Sequence, residues 1–156
     1  MTEDDRIDIL LVEDNPGDIR LITESLAEAE PRAEVHCVRD GVEAMRFLLK
    51  QAPFGDAPEP TIVVLDLNLP RKDGRAVLAE IKSHPVLAVI PVVVLSGSDA
   101  PQDIIACYKL HANCYLVKPR DLYGMNEAIR SLVDFWLRRA TLPPCSCSQL
   151  CRGGTE

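Results

Sequence analysis

The chain has 156 residues, 47% hydrophobic and 26% charged, the mix of one ordinary globular domain with a short extension; a wholly disordered chain is excluded. Its 17 Lys and Arg against 24 Asp and Glu leave a net charge of −7. Polyphosphates and anionic bilayers are therefore repelled, and neither nucleic acid nor membrane is an expected partner. The opening MTEDDRID lacks the basic-then-apolar layout of a signal peptide, and the apolar runs fall far short of the roughly 20 residues of a membrane helix. The expected location is the cytoplasm, where thiols stay reduced.

Short β-branched runs alternate with helix-period segments. Ile7–Val12 (IDILLV) is the first strand. Ile19, Ile22 and Leu26 then recur at i, i+3, i+7, one face of a helix starting near Asp18. Val35–Val38 is a second, weaker strand, and Val42, Met45, Leu48 and Leu49 give helical spacing over Gly41–Lys50. QAPFGDAPEP, from Gln51 to Pro60, has three prolines and no period, so it is a loop. TIVVLDL is apolar on both faces, as a central parallel strand requires. Arg75–Ser83 reads as a helix, Ile90–Leu95 as a buried strand, and Pro101 opens a helix running to about His111. Cys114–Val117 is a short fifth strand, and a long final helix follows from Asp121 to about Arg139.

Strict alternation predicts an α/β, doubly wound, five-stranded parallel sheet with five helices on its two faces. The expected division is one domain over 1–140 and a Pro-, Cys- and Gly-containing flexible tail over 141–156, with no output domain. Cys37, Cys107 and Cys114 lie in patterned segments and read as small core or boundary residues. Cys145, Cys147 and Cys151 have CxC and CxxxC spacing in the tail, and a metal site there is the lesser alternative.

Ligands of open α/β sheets bind beyond the carboxyl ends of the strands. The strands here end in Glu13-Asp14, Asp66, Ser96-Gly97 and Lys118-Pro119. Three carboxylates so placed raise one another's pKa unless a cation joins them. Oxygen-only donors with open positions suit Mg²⁺, which keeps waters that a phosphate oxygen can replace. With the Lys118 ammonium and the Ser96 hydroxyl, they describe a site for a phosphoryl group bound to, or placed on, a carboxylate. Asp14 or Asp18 alone would read as a helix cap, and a lone Lys as surface; only the joint placement carries the functional reading. EDNPGD after the first strand is neither GxxxxGK[ST] nor GxGxxG, which excludes the nucleotide-binding loops. His36, His84 and His111 fall off this rim, so no Ser-His-Asp or Cys-His set is indicated.

VEDN, LDLNLPRKDG, VVVLSGSD and CYLVKP, in that order and spacing, resemble the receiver domain of two-component response regulators, with its flavodoxin-like fold, over about Ile7 to Arg139. The resemblance implies that Asp66 accepts a phosphoryl group from a phosphohistidine on a sensor kinase. It also implies that Asp14, Asp66 and the backbone carbonyl of Asn68 bind Mg²⁺ directly and that Glu13 holds the ion through water. Lys118 would pair with the phosphoryl group, Ser96 would turn inward to donate to it, and Tyr115 would rotate inward behind Ser96. Tyr115 also reads simply as a half-buried strand residue. Pro70 and Gly74 match the turn after the acceptor strand, and Lys118-Pro119 matches the family's cis peptide. VEDNPGDIRL, the Pro-rich loop, DLNLPRKDGRAVLAEIK, YKLHANCYLVKP and FWLRRATLP are similar to the small response regulators paired with phytochrome-type photosensor kinases. Such a partner acts as kinase, or as kinase and phosphatase. His111 stands where many receivers have Gly, leaving Asn113 to accept a left-handed conformation.

In the final helix Met125, Ile129, Leu132 and Trp136 form one stripe, and Phe135 lies about 100° away from Trp136, so one aromatic faces solvent or a partner. Ile104 and Tyr108 form an apolar pair on the preceding helix. The expectation, drawn mostly from the family, is a homodimer through the last two helices and the fifth strand, using Ile104, Tyr108, Tyr115 and Phe135. The competing function is a metal-dependent phosphatase with an aspartyl-phosphate intermediate. Such enzymes carry a second acid two residues after the nucleophile, where this chain has Asn68.

Overall fold

The apolar runs become the sheet. The computed structural model describes residues 6–144, and its strands are β1 (Ile7–Val12), β2 (Ala33–Val38), β3 (Ile62–Leu65), β4 (Val92–Ser96) and β5 (Cys114–Val117). All pairs are parallel, in the order β2-β1-β3-β4-β5. The helices are α1 (Pro16–Ala29), α2 (Gly41–Leu48), α3 (Gly74–Ser83), α4 (Pro101–Lys109) and α5 (Leu122–Val133). The fold class agrees with the alternation in the sequence. Parallel strands need long crossovers, and the helices that supply them cover both faces.

Successive strand residues point to opposite faces, and two cores result. Leu10, Val12, Val63, Leu65, Val92 and Val94 pack with α2, α3 and Cys107 of α4. Ile9, Leu11, Ile62, Val64, Val93 and Leu95 pack with Ile22 and Leu26 of α1 and with Met125, Ile129 and Leu132 of α5. β3 is buried along its whole length, the reason its sequence shows no alternation.

Four local expectations are corrected. α1 begins at Pro16 rather than near Asp18, because Asn15 is the cap: its Oδ1 accepts from the Asp18 N–H at 3.0 Å. Removing that acceptor by Asn15→Ala is expected to lower stability by about 1 kcal/mol, read from the midpoint of metal-free urea denaturation. The final helix is not uniform. After Val133 it widens into a π-type turn over Asp134–Arg139, with the Ala140 N–H reaching the Phe135 carbonyl at 2.7 Å. Arg138 there donates to the Ala29 carbonyl at 2.6 Å, at the C-terminal end of α1, where a cation is favoured. The left-handed residue after α4 is His111 itself, at φ 69°, while the Asn113 side chain accepts from the Val92 N–H at 2.9 Å. Lys118-Pro119 is trans; among the described residues the cis bond is Ala52-Pro53. The trans link still delivers the Lys118 ammonium to the acidic rim.

Cys107 is buried, Cys114 is intermediate and Cys37 is exposed, so the core-or-boundary reading fails for Cys37. Its strand lies at the sheet edge. Cys145, Cys147 and Cys151 lie outside the described residues. A single 3₁₀ turn, Leu87–Val89, which the sequence reading omits, links α3 to β4. No helix among the described residues is long and apolar enough to cross a membrane.

An acidic site at the carboxyl edge of the sheet

The ladder that ends the strands continues for one more step and sets the site residues in register. Past Val12 the Glu13 N–H donates to the Val38 carbonyl, and past Leu65 the Asp66 N–H donates to the Val12 carbonyl, both at 3.0 Å. The Lys118 N–H reaches the Ser96 carbonyl at 2.7 Å. Main-chain pairing, not side-chain contact, therefore places the acid pair, the central aspartate and the lysine on one rim.

Glu13 is 1% exposed and Asp66 6%. Burial pushes both carboxyls above their ordinary range, although Lys118 pulls each back down. Their proximity to each other adds to the rise at Glu13. Asp66 Oδ1 also accepts from the Leu67 N–H at 2.8 Å. The Lys118 ammonium lies 2.7 Å from Glu13 Oε2, 2.9 Å from Asp18 Oδ2 and 3.6 Å from Asp66 Oδ2. Burial alone would make it lose its proton more easily, but the hydrogen bonds to Asp18 and Glu13 and the Asp66 charge outweigh burial and hold it protonated. Asp18 is the participant that the sequence reading assigned only to a cap. Its first-turn position, four residues after Asp14, was the available signal.

Glu13, Asp14 and Asp66 each offer an oxygen within 4.8 Å of the others. Asp14 is exposed, whereas both Glu13 oxygens are engaged, by Lys118 at 2.7 Å and by the Asn15 N–H at 3.1 Å. Hard oxygen donors that repel one another fit a divalent cation of the Mg²⁺ or Mn²⁺ kind. Asn68 lies exposed in the turn just beyond Asp66. That turn is held from below by Gly74: a Cβ there would collide with the Asp66 carbonyl oxygen and lie 2.6 Å from the Leu67 Cα. Only glycine lets α3 start this close to the end of β3.

Ser96 is fully buried, and its Oγ accepts from the Ser98 N–H at 3.2 Å. Tyr115, packed against the α2–α3 core, donates its hydroxyl to the Ser98 carbonyl at 2.8 Å. Of the residues assigned to a subunit interface, Tyr115 thus adjoins the loop after Ser96. Ile104 is half-buried on α4 and Tyr108 is exposed there. Phe135 is 56% exposed and meets the half-buried Trp136 edge-on, centroids 5.2 Å apart, so the two aromatics do point different ways. A second cluster of possible metal donors, Asp8, Glu34 and His36, lies towards the strands' amino ends. Its acids are already engaged, Arg6 lying 3.0 Å from Asp8 and 2.7 Å from Glu34, and His36 2.9 Å from Asp8.

The model of the response regulator receiver domain matches residues 9–130. The response regulator Rcp1 of Synechocystis sp. is 49% identical over 135 residues, spanning 86% of this chain and 92% of that protein. The crystal structure of the phosphorylated cyanobacterial phytochrome response regulator RcpA aligns with a TM-score of 0.86 at 50% identity, over 89% of this chain and 99% of that one. The Mn²⁺-bound form of Rcp1 aligns with a TM-score of 0.84 at 48% identity, over 88% and 99%. A divalent metal is thus observed in a near relative. With the sheet order, the rim chemistry and the match over most of its length in agreement, this chain belongs to the response regulator receiver family of two-component signalling proteins.

Proposed function

We propose that Asp66 is the phosphoryl acceptor, in a Mg²⁺-dependent reaction with a sensor histidine kinase of the phytochrome class. The observation that carries this reading is the convergence of Glu13, Asp14, Asp66 and Lys118 on one rim, within the distances given above. A carboxylate oxygen of Asp66 attacks the phosphorus of a phosphohistidine. The P–N bond breaks, an acyl-phosphate P–O bond forms, and the imidazole nitrogen leaves with the bonding pair. Asp14, Asp66 and the backbone carbonyl of Asn68 would hold the ion, with Glu13 acting through water. The ion supplies charge neutralisation at the transferring oxygens. Lys118 supplies fixed positive charge beside Asp66, Ser96 donates to a phosphoryl oxygen, and Tyr115 follows Ser96 inward as the switch.

The phytochrome pairing rests on the similarity to Rcp1 and RcpA. On this reading the receiver occupies 1–140, residues 141–156 are a tail, and the protein works in the cytoplasm as a signalling protein. Its own chemistry is confined to self-phosphorylation and autodephosphorylation, and it engages neither nucleic acid nor membrane. Its output is protein contact, with a homodimer through α4, β5 and the last helical segment using Ile104, Tyr108, Tyr115 and Phe135. The exposed Tyr108 and Phe135 support that face. Asn68 in place of a second acid disfavours the phosphatase reading.

Incubation with acetyl phosphate and Mg²⁺ is expected to give a shifted band on a phosphate-affinity gel, lost on adding EDTA. No band, or rapid turnover of unrelated phosphate esters, would overturn the proposal.

A further inference from the structure

Ser98 spends every polar group it has in the β4–α4 loop. Its N–H donates to Ser96 Oγ at 3.2 Å, its carbonyl accepts from the Tyr115 hydroxyl at 2.8 Å, and its hydroxyl donates to Asp103 Oδ2 at 2.6 Å. The same hydroxyl accepts from the Ala100 N–H at 3.3 Å. Asp103 on α4 is in turn clamped by Arg75 of α3, Nη2 to Oδ1 at 2.6 Å, while the other guanidinium nitrogen reaches Asp73 Oδ2 at 3.2 Å. The two bonds to Asp103 are short and charge-assisted, the stronger kind. The loop beside them has room to move. Gly97, between Ser96 and Ser98, is exposed, and a Cβ there would meet nothing within 4 Å.

A shift that frees Ser96 Oγ from the Ser98 amide moves Ser98, and with it the Tyr115 and Asp103 bonds. The ion pair between two helices thus opposes rearrangement of the very residue whose hydroxyl is needed at the phosphoryl group. We propose that Arg75 and Asp103 are positioning residues forming a latch through the Ser98 hydroxyl. The latch holds the loop in its present arrangement and so sets how readily Asp66 is phosphorylated. This rests on the acceptor reading of Asp66 and the inward role of Ser96. Neither Arg75 nor Asp103 belongs to the metal and acceptor set; they act only on the equilibrium between two loop arrangements.

All three side chains are partly exposed, so their replacement leaves the cores intact. Ser98→Ala, Asp103→Asn and Arg75→Ala are each expected to be phosphorylated by acetyl phosphate and Mg²⁺ about fivefold faster than the unaltered chain. The double variant S98A/D103N is expected to be no faster than either single change, since both cut the same link. In ¹⁵N spectra of the unphosphorylated variants, the Ser96 and Tyr115 amides should move towards their positions in the phosphorylated unaltered protein. Rates within about twofold of the unaltered chain, or additive effects in the double variant, would overturn the latch. An unaltered chain that takes no label, or one that labels equally after Asp66→Asn, would instead overturn the acceptor reading, and the latch with it.

Discussion

Asp66→Asn is expected to abolish the acetyl-phosphate band and, in metal-free buffer at neutral pH, to raise the melting midpoint by about 3 °C. The loss follows from removing the nucleophilic oxygen. The gain follows from burial. Asp66 is 6% exposed, and burial holds its carboxyl above the ordinary 3.8, against the pull of Lys118 and of the Leu67 N–H. A carboxyl whose folded value is raised binds its proton better in the native state. Its charge therefore lowers stability progressively as pH rises through that folded value. Asparagine keeps an acceptor for the Leu67 N–H, and Lys118 keeps Glu13 and Asp18. The difference between the two proteins should shrink as pH falls towards 3.8, and Mg²⁺ should stabilise the unaltered chain more than the variant. Thermal melts across pH, with and without the ion, read all three effects. A midpoint lowered by the substitution in metal-free buffer would contradict this account.

Lys118→Ala is expected to act in the opposite direction. It removes the ammonium that contacts Glu13, Asp18 and Asp66 and leaves two buried carboxyls facing each other. Breaking a buried pair from one side costs about 3 kcal/mol. The cost should be greatest where Glu13 and Asp66 are charged and should recede as pH falls and they take up protons. Added Mg²⁺ should restore part of it by supplying the missing positive charge. In the unaltered chain the sign is the usual one for a lysine with partners. Its folded value is raised, so its contribution is complete below the ordinary 10.5 and is lost as pH rises through the folded value. Phosphorylation should slow by about a hundredfold, because a fixed charge at the developing equatorial oxygens is lost. Urea denaturation at two pH values and initial labelling rates separate the two consequences. Unchanged stability together with a full loss of labelling would show that Lys118 serves only the chemistry.

The sheet was legible because its signals are long and redundant. IVVL in the centre and IDILLV beside it admit few alternatives, and the site followed once the strand ends were known. What escaped were features decided by a neighbour distant in sequence. Asp18 looks like a first-turn acid, and only the fold brings it 2.9 Å from Lys118, a hundred residues away. The Arg75–Asp103–Ser98 chain joins two helices and a loop whose relative placement no local pattern encodes. His111 adopts φ 69° although Asn113, two residues on, is the better intrinsic candidate. Asn113 is instead occupied with the Val92 amide. The widening of the last helix accompanies the contact of Arg138 with Ala29, which its sequence period does not express.

The close approach of Gly74 beneath Asp66 gives the site a division of labour. The acceptor rests on main chain, with α3 pressed against its carbonyl and no side chain between that could change rotamer. It works as an anvil whose height is set by the sheet. The parts around it are held differently: Lys118 by ion pairs at the end of a long side chain, Ser96 next to an unhindered glycine, and Tyr115 by core packing and one hydroxyl bond to Ser98. An arriving phosphoryl group therefore meets one immobile surface and several movable ones. On the proposed acceptor reading, any displacement such a group causes is expected on the side of α4 and β5 rather than at Asp66.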